Sequence, residues 1–494
     1  MALFIILICS LIFPNVEIEH IQVFSHFVSF DPNDHLDKNG DPDINQSISS
    51  IGRGSHSLNS KWINVEKGYN SPDYSVQLFN VEDPENSIEF KKNSVKRKKK
   101  YNANNVIWSK VDEQKFYFSH LNKKNKWIFE YAELDALENT FDIVSIFPTN
   151  QDKKYLDDIE INYVHLADYA EEGEYYYAIV NSFMNGQASS LIITDYDVPG
   201  KDYKVNSIFN SFDDEFNRSL YSKIESDDYL LDAREIDTKY DKSNMYLQSV
   251  INFRSQKSYQ EYDIYYFCDL NDETTFFEDA GYQIFPRIEE FTEEGTYYPY
   301  CKQFEAKFNH NGSKVAFLSQ PRIDSEDICP TDGKNIDLWI FDLKDYFQMV
   351  CIENPENSNL DYEESYFKVD EKIRNTFGMD EGILSLARDY VWHPDRDIIF
   401  YINEDKNNAG EITYPISYYN FEDCDNNNIS SCDKGILETF TENNKQLSIS
   451  KDGNYLTFSF SKTKKNNPKV KGKCYNCENF YKDKVASAKI VINE

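Results

Sequence analysis

The residues able to do chemistry are few, and their spacing argues against most catalytic uses. Eight histidines occur along the chain: His20, His26, His35, His56, His120, His165, His310 and His393. None falls in an H-E-x-x-H pattern, which would set two imidazoles on one helix face for zinc. His310 and His393 lie in turn-like segments, where a structural role is expected. Nine cysteines are present. Cys9 sits in the apolar N-terminal run, which leaves Cys268, Cys301, Cys329, Cys351, Cys424, Cys432, Cys474 and Cys477. Cys474-Tyr475-Asn476-Cys477 is a C-x-x-C, but a zinc knuckle needs a second such pair and Cys424 and Cys432 stand too far apart to supply it. A redox site would need a βαβ context that is absent. Local disulfides, Cys424 with Cys432 and Cys474 with Cys477, are the expectation.

Oxygen donors are abundant and uninformative. Asp37 to Asp43 alternates oxygen-bearing residues as calcium loops do, but Pro42 replaces the turn glycine and Ile48 stands where the bidentate Glu belongs. Carboxylates cluster at Asp157, Asp158 and Glu160, at Asp227, Asp228 and Asp232, and at Glu289, Glu290, Glu293 and Glu294. A chain with 85 acidic residues makes such pairs everywhere. No catalytic, cofactor-binding or metal-ligating residue is assigned, and calcium is the one ion left open. Four N-x-S sequons, at Asn45, Asn217, Asn311 and Asn428, are acceptor sites for glycosylation.

The formal net charge is −33. That repels phosphate backbones and anionic headgroups, which excludes a nucleic-acid role and suits cationic or neutral partners. The run Leu3 to Phe13 is too short to span a bilayer but fits the core of a signal peptide. The expected organisation is a signal peptide at 1–17, a polar tether at 18–74 and one large domain at 75–494. No later segment reaches transmembrane length. The expected location is extracellular or within the secretory pathway. Lys91, Lys92, Lys96, Arg97, Lys98, Lys99 and Lys100 form a basic block that must repel itself into an exposed loop at 91–100.

What positions these residues is a set of short strands. The composition is 40% hydrophobic and 15% aromatic, enough for a sizeable core and biased to strand formers. From residue 101 onward, Tyr- and Phe-rich runs alternate with polar turns, and an outline recurs: strand, tight turn, strand, loop, strand. The clearest copy is Phe304 to Leu343. Second strands centre on Tyr117, Tyr177, Leu247, Ala316, Ile399 and Leu456. Fourth strands are expected at Ile143 to Phe147, Val205 to Phe209 and Gly435 to Phe440. The repeats imply an all-β fold, a β-propeller of six blades with seven as the alternative, because radial packing removes exposed sheet edges and faces. Ser75 to Val81 is expected to complete the last sheet as its outermost strand and clasp the ring shut.

The turns resemble the TolB-like or WD40-like propeller repeat, written around Ser-Pro-Asp-Gly and a following apolar strand. His393-Pro394-Asp395-Arg396, Ser450-Lys451-Asp452-Gly453 and Asn309-His310-Asn311-Gly312 stand at that turn, with Arg396 in the glycine place. Ile398-Ile399-Phe400, Tyr455-Leu456-Thr457-Phe458 and Lys314-Val315-Ala316-Phe317 stand at the strand, and Asp337 to Asp342 resembles a later one. The propeller domains of prolyl oligopeptidases and dipeptidyl peptidases are similar, but those carry a serine hydrolase domain, and no G-x-S-x-G elbow occurs here. The resulting expectation is a non-catalytic recognition or scaffold protein that binds a protein, peptide or glycan at one face. The alternative is a carbohydrate-active or lyase-type enzyme with carboxylates at the central channel. No oligomeric state follows from the residues.

Overall fold

The computed structural model describes residues 16–29, 51–67, 75–81, 87–90, 103–109, 112–121, 127–135, 140–147, 160–166, 178–184, 187–194, 204–207, 231–241, 246–255, 262–270, 281–284, 290–292, 295–297, 300–322, 336–343, 366–373, 390–407, 409–422, 424, 431–439, 444–465 and 479–493. Strands and the turns between them make up nearly all of these residues, and no α-helix occurs among them.

Apart from two small hairpins, Glu290–Thr292 with Gly295–Tyr297 and Asp405–Lys406 with Ile412–Thr413, the described strands assemble into seven consecutive four-stranded antiparallel sheets. The first is built from Ile51–His56, Trp62–Lys67, Ser75–Asn80 and Ser87–Phe90. The second takes Ala103–Trp108, Lys115–Leu121, Trp127–Asp135 and Thr140–Phe147. The third takes Glu160–Leu166, Ala178–Met184, Gln187–Thr194 and Lys204–Ser207. The fourth comprises Leu231–Asp241, Tyr246–Ser255, Tyr262–Leu270 and Gly281–Ile284. The fifth comprises Tyr300–Phe308, Lys314–Pro321, Ile336–Asp342 and Tyr366–Ile373, and is joined to the fourth by one parallel bridge, Tyr262 to Lys302. The sixth comprises Tyr390–Trp392, Ile398–Ile402, Ile416–Asn420 and Asp433–Leu437. The seventh has three C-terminal strands, Asn444–Ile449, Tyr455–Lys465 and Asn479–Ile492, and takes its fourth from Val16–Ser29.

Two sequence expectations change here. Ser75–Asn80 does not complete the last sheet; it is the third strand of the first, paired with Trp62–Lys67 and Ser87–Phe90. The strand that does join the last sheet is Val16–Ser29. The segment read as a polar tether therefore carries three strands, and the sheets number one more than the six repeats read from the sequence. The apolar run at 3–13, the residues at 37–43 and the basic block at 91–100 lie outside the described residues.

Hydrophobic burial holds five of the junctions between sheets. Trp62, Leu78 and Ile88 of the first sheet pack against Trp108, Phe116, Phe118 and Phe141 of the second. Val250, Ile264 and Tyr266 of the fourth meet Phe308, Phe317 and Phe341 of the fifth. The fifth offers its other face, with Leu318, Leu338 and Ile340, to Tyr390, Trp392 and Tyr401 of the sixth. Phe400 and Tyr418 of the sixth meet Phe458 and Ala488 of the seventh. The seventh in turn packs Phe24 and Val485 on Ile63 and Phe79 of the first. Each buried Phe or Leu here contributes about 1.5–3 kcal/mol relative to exposure. A sheet buried on both faces must be apolar on both, which is why Ile398–Ile402 reads IIFYI and is buried throughout.

First strands share one irregularity. In the first, second, fifth and seventh sheets the first strand carries a bulge against the second: between Ile51 and Gly54, Asn104 and Ile107, Phe304 and Lys307, and Lys445 and Ser448. The extra residue increases local twist. In the fifth sheet the bulge holds Glu305 at φ 55°, buried, with its carbonyl accepting a hydrogen bond from the Tyr390 hydroxyl of the sixth.

Candidate functional site

One recurrent turn follows the first strand. Its first residue, Ser57, Ser109, Asn309, His393 or Ser450, donates its amide to the carbonyl that opens the second strand, at 2.8–2.9 Å. The same residue caps the turn through its side chain. Ser57 Oγ accepts from Trp62 N at 3.0 Å, Asn309 Oδ1 from Lys314 N at 2.9 Å, and Ser450 Oγ from Tyr455 N at 2.9 Å. Short polar side chains do this because they reach a backbone amide without leaving their own loop. Gly312 and Gly453 close two of these turns at positive φ. Arg396 has no positive φ, so the loop that begins at His393 does not require glycine there. The turn opened by Ser57 was not legible in the sequence because Ser-Leu-Asn-Ser lacks the Asp-Gly signal, whereas the one opened by Ser109 was legible through the strands on either side of it.

Adjacent turns bind one another, which joins five of the sheets into one polar face. Asp397, at the start of the sixth sheet's second strand, accepts from Asn309 Nδ2 at 2.5 Å and Lys314 Nζ at 2.7 Å, with His310 Nδ1 at 3.2 Å. Burial pushes the Asp397 carboxyl up, but the bonds from His310, Lys314 and Asn309 outweigh it and hold the group well below the usual carboxylate range. His393 Nδ1 accepts from the Asp395 amide at 3.1 Å, and the ring packs on Gly453 of the seventh sheet so closely that a Cβ there would collide with it. Burial lowers the His393 pKa to about 4. At the junction of the seventh and first sheets, His56 Nε2 lies 2.8 Å from Thr457 Oγ1 and 3.1 Å from Ser487 Oγ, and its ring stacks on Tyr455. Burial lowers its pKa to about 4 as well, against the attraction of Asp452. Asn59 Nδ2 donates to Glu113 Oε2 at 2.8 Å, joining the first turn to the second.

The exposed charged side chains of these turns are of both signs, Glu113, Asp395 and Asp452 with Lys61 and Lys451, and Asn311 is exposed beside them. Asn311 holds its turn through Oδ1, which accepts from Ser313 N at 2.9 Å and Asn309 Nδ2 at 3.0 Å. Below the face, Lys307 Nζ lies 3.7 Å from Asp237 Oδ1 in a buried pair whose other oxygen accepts from Phe308 N at 2.8 Å. The pair ties the first strands of the fourth and fifth sheets. Among the described residues no group of His, Cys, Asp and Glu could hold a metal ion.

Of the residues singled out from sequence, the structure brings together Cys424 and Cys432, which are disulfide-bonded beside the sixth sheet. It also brings His310 and His393 to the turn face. Cys474, Cys477, Asn45, Asn217 and Asn428 lie outside the described residues, as do Asp157, Asp158, Asp227, Asp228, Glu289, Glu293 and Glu294. Glu160, Asp232 and Glu290 fall on three separate strands. His56 and Asp237 were not singled out for such roles, since each acts through a partner from another sheet.

No family model matches the chain, and no curated protein matches it. Solved structures do match at low identity. Hydrazine synthase of Kuenenia stuttgartiensis aligns over 84% of this chain and 94% of its own, at 7% identity and a TM-score of 0.42. Extracellular domains 1–2 of Drosophila Semaphorin 1b align over 96% and 87%, at 9% identity and a TM-score of 0.36. With TM-scores this low, the architecture rests on the sheets described above. No helix among the described residues is long and apolar enough to cross a membrane.

Proposed function

We propose that the seven sheets are the blades of one β-propeller, closed by Val16–Ser29, and that the protein is a secreted, non-catalytic recognition module. Stacking in chain order, with the seventh sheet packed back on the first, supports the ring. This reading takes seven blades, the alternative to the six expected, with the sheet at 51–90 as the additional one. The Cys424–Cys432 disulfide supports an oxidising compartment. Docking takes place on the turn face, where neighbouring turns hold one another rigid and little ordering entropy is lost on binding.

The observation that carries the reading is the joined set of turns from five sheets, with Glu113, Asp395 and Asp452 exposed on it. The net charge of −33 over the whole chain favours a cationic protein or peptide over a neutral glycan, with Glu113, Asp395 and Asp452 as its contacts beside Lys61 and Lys451. The test is titration of purified protein with basic peptides and with a neutral glycan panel at two ionic strengths. Salt-sensitive peptide binding, lost in a Glu113→Lys, Asp395→Lys, Asp452→Lys variant of unchanged Tm, supports the proposal. Turnover of any glycan would instead establish the carbohydrate-active reading.

A further inference from the structure

The seventh sheet is keyed to each neighbour by a buried imidazole. On one side the ring of His56, carried by the first sheet, reaches Thr457 and Ser487 and stacks on Tyr455 at 5.4 Å. On the other, His393 of the sixth sheet presses on Gly453. His393 holds the Asp395 amide through Nδ1 acting as acceptor. A proton placed on that nitrogen would meet an N–H donor head-on, so the cap exists only in the neutral ring. His56 is 7% exposed and His393 5%, so a charge on either would be held away from water.

The charged and titratable groups facing them do not compensate. His56 has Asp452 and Tyr455 from the seventh sheet. His393 has Asp395 and Arg396 from its own loop and His310 from the fifth sheet. Arg396 and His310 both oppose a positive charge on the His393 ring.

We propose that the seventh sheet is an acid-releasable closure: protonation of His56 and His393 frees it from the first and sixth sheets while the others stay packed. The sign follows from burial. Both histidines titrate near 4 when packed, below the ordinary 6.5, so the released form binds more protons. Closure is fully stable above about pH 6.5 and weakens as pH falls toward 4. Each histidine shifts the balance by about tenfold per pH unit in that window, so the pair gives about a thousandfold at pH 5. The N-terminal strand, whose strand partner among the described residues is the last strand of this sheet, leaves with it.

Hydrogen–deuterium exchange on the full chain, with labelling times scaled to the intrinsic rate at each pH from 7.5 to 4.5, reads this directly. The expected result is accelerated exchange confined to 16–24, 444–460 and 485–492 as pH falls. A His56→Gln, His393→Asn variant is expected to keep those segments protected at pH 5; Asn already caps the equivalent turn at Asn309. An unchanged acid response in that variant, or loss of protection spread evenly over all sheets, overturns the proposal. If His56→Gln does not fold, the His393→Asn single variant must show about half the logarithmic response, and a full response overturns it.

Discussion

Val16 stands opposite Ile492 in an antiparallel pair, so the first described strand and the last are neighbours although almost the whole chain separates them. The pairing covers the edge of Asn479–Ile492 and seats Phe24 among Ile63, Phe79 and Val485. A long unpaired edge beside apolar side chains is a template for association with other chains.

Phe24→Ala is therefore expected to cost about 3–5 kcal/mol. Urea denaturation would measure it, with light scattering rising in the variant first. A cost under about 1 kcal/mol would mean that this strand does not hold the seventh sheet to the first.

Gly453 is the residue to change at the next seam. It has φ 71° and no room for a Cβ against His393. Gly453→Ala should cost about 1–2 kcal/mol for the left-handed backbone, plus the collision. Removing the ring in Gly453→Ala, His393→Ala should recover the second part, giving a coupling of about 1–3 kcal/mol in a double-mutant cycle. Strict additivity would show that the two residues do not touch.

Asp397 joins the fifth sheet to the sixth through three side chains. Because its folded pKa is depressed, its stabilisation is present above the normal carboxylate range and is lost as pH falls through and below that range. Asp397→Ala should cost about 2–3 kcal/mol at neutral pH. The loss should shrink on acidification, as followed by Tm from pH 7 to pH 2.5. A pH-independent loss would point to packing rather than charge.

The Cys424–Cys432 bond closes a loop with a sequence separation of 8 beside Tyr419 and Trp392. By loop entropy its removal in Cys424→Ser, Cys432→Ser should cost about 2–3 kcal/mol. Chemical reduction of the native protein should match the double variant, and a mismatch would reveal a second disulfide that contributes.

Asn311 is exposed in a turn with its sequon serine two residues on. Expressed through a eukaryotic secretory pathway, the chain should carry a glycan there. Intact mass before and after amidase treatment, compared with Asn311→Gln, reads it. Identical masses would remove this site from the set.

How far the residues alone could lead differs along the chain. Alternating apolar runs located second strands at Tyr117, Leu247, Ala316, Ile399 and Leu456, where the structure has them, while Tyr177 lies outside the described residues. The Asp-Gly and Asn-Gly turns were legible because few residues tolerate positive φ. Of the first sheet only the strand at Ser75–Asn80 was legible, without its partners: Ile51–His56 reads IGRGSH, with little apolar content.

Local chemistry determined by itself that the chain is β, where its strands turn, and that no familiar catalytic or metal motif is present. Tertiary structure decided which strand completes the seventh sheet, which histidines are sealed between sheets, and which carboxylate gathers Asn309, His310 and Lys314. Those facts depend on partners tens to hundreds of residues away. A strand edge or an imidazole has no preference of its own among them until burial has brought one partner within reach.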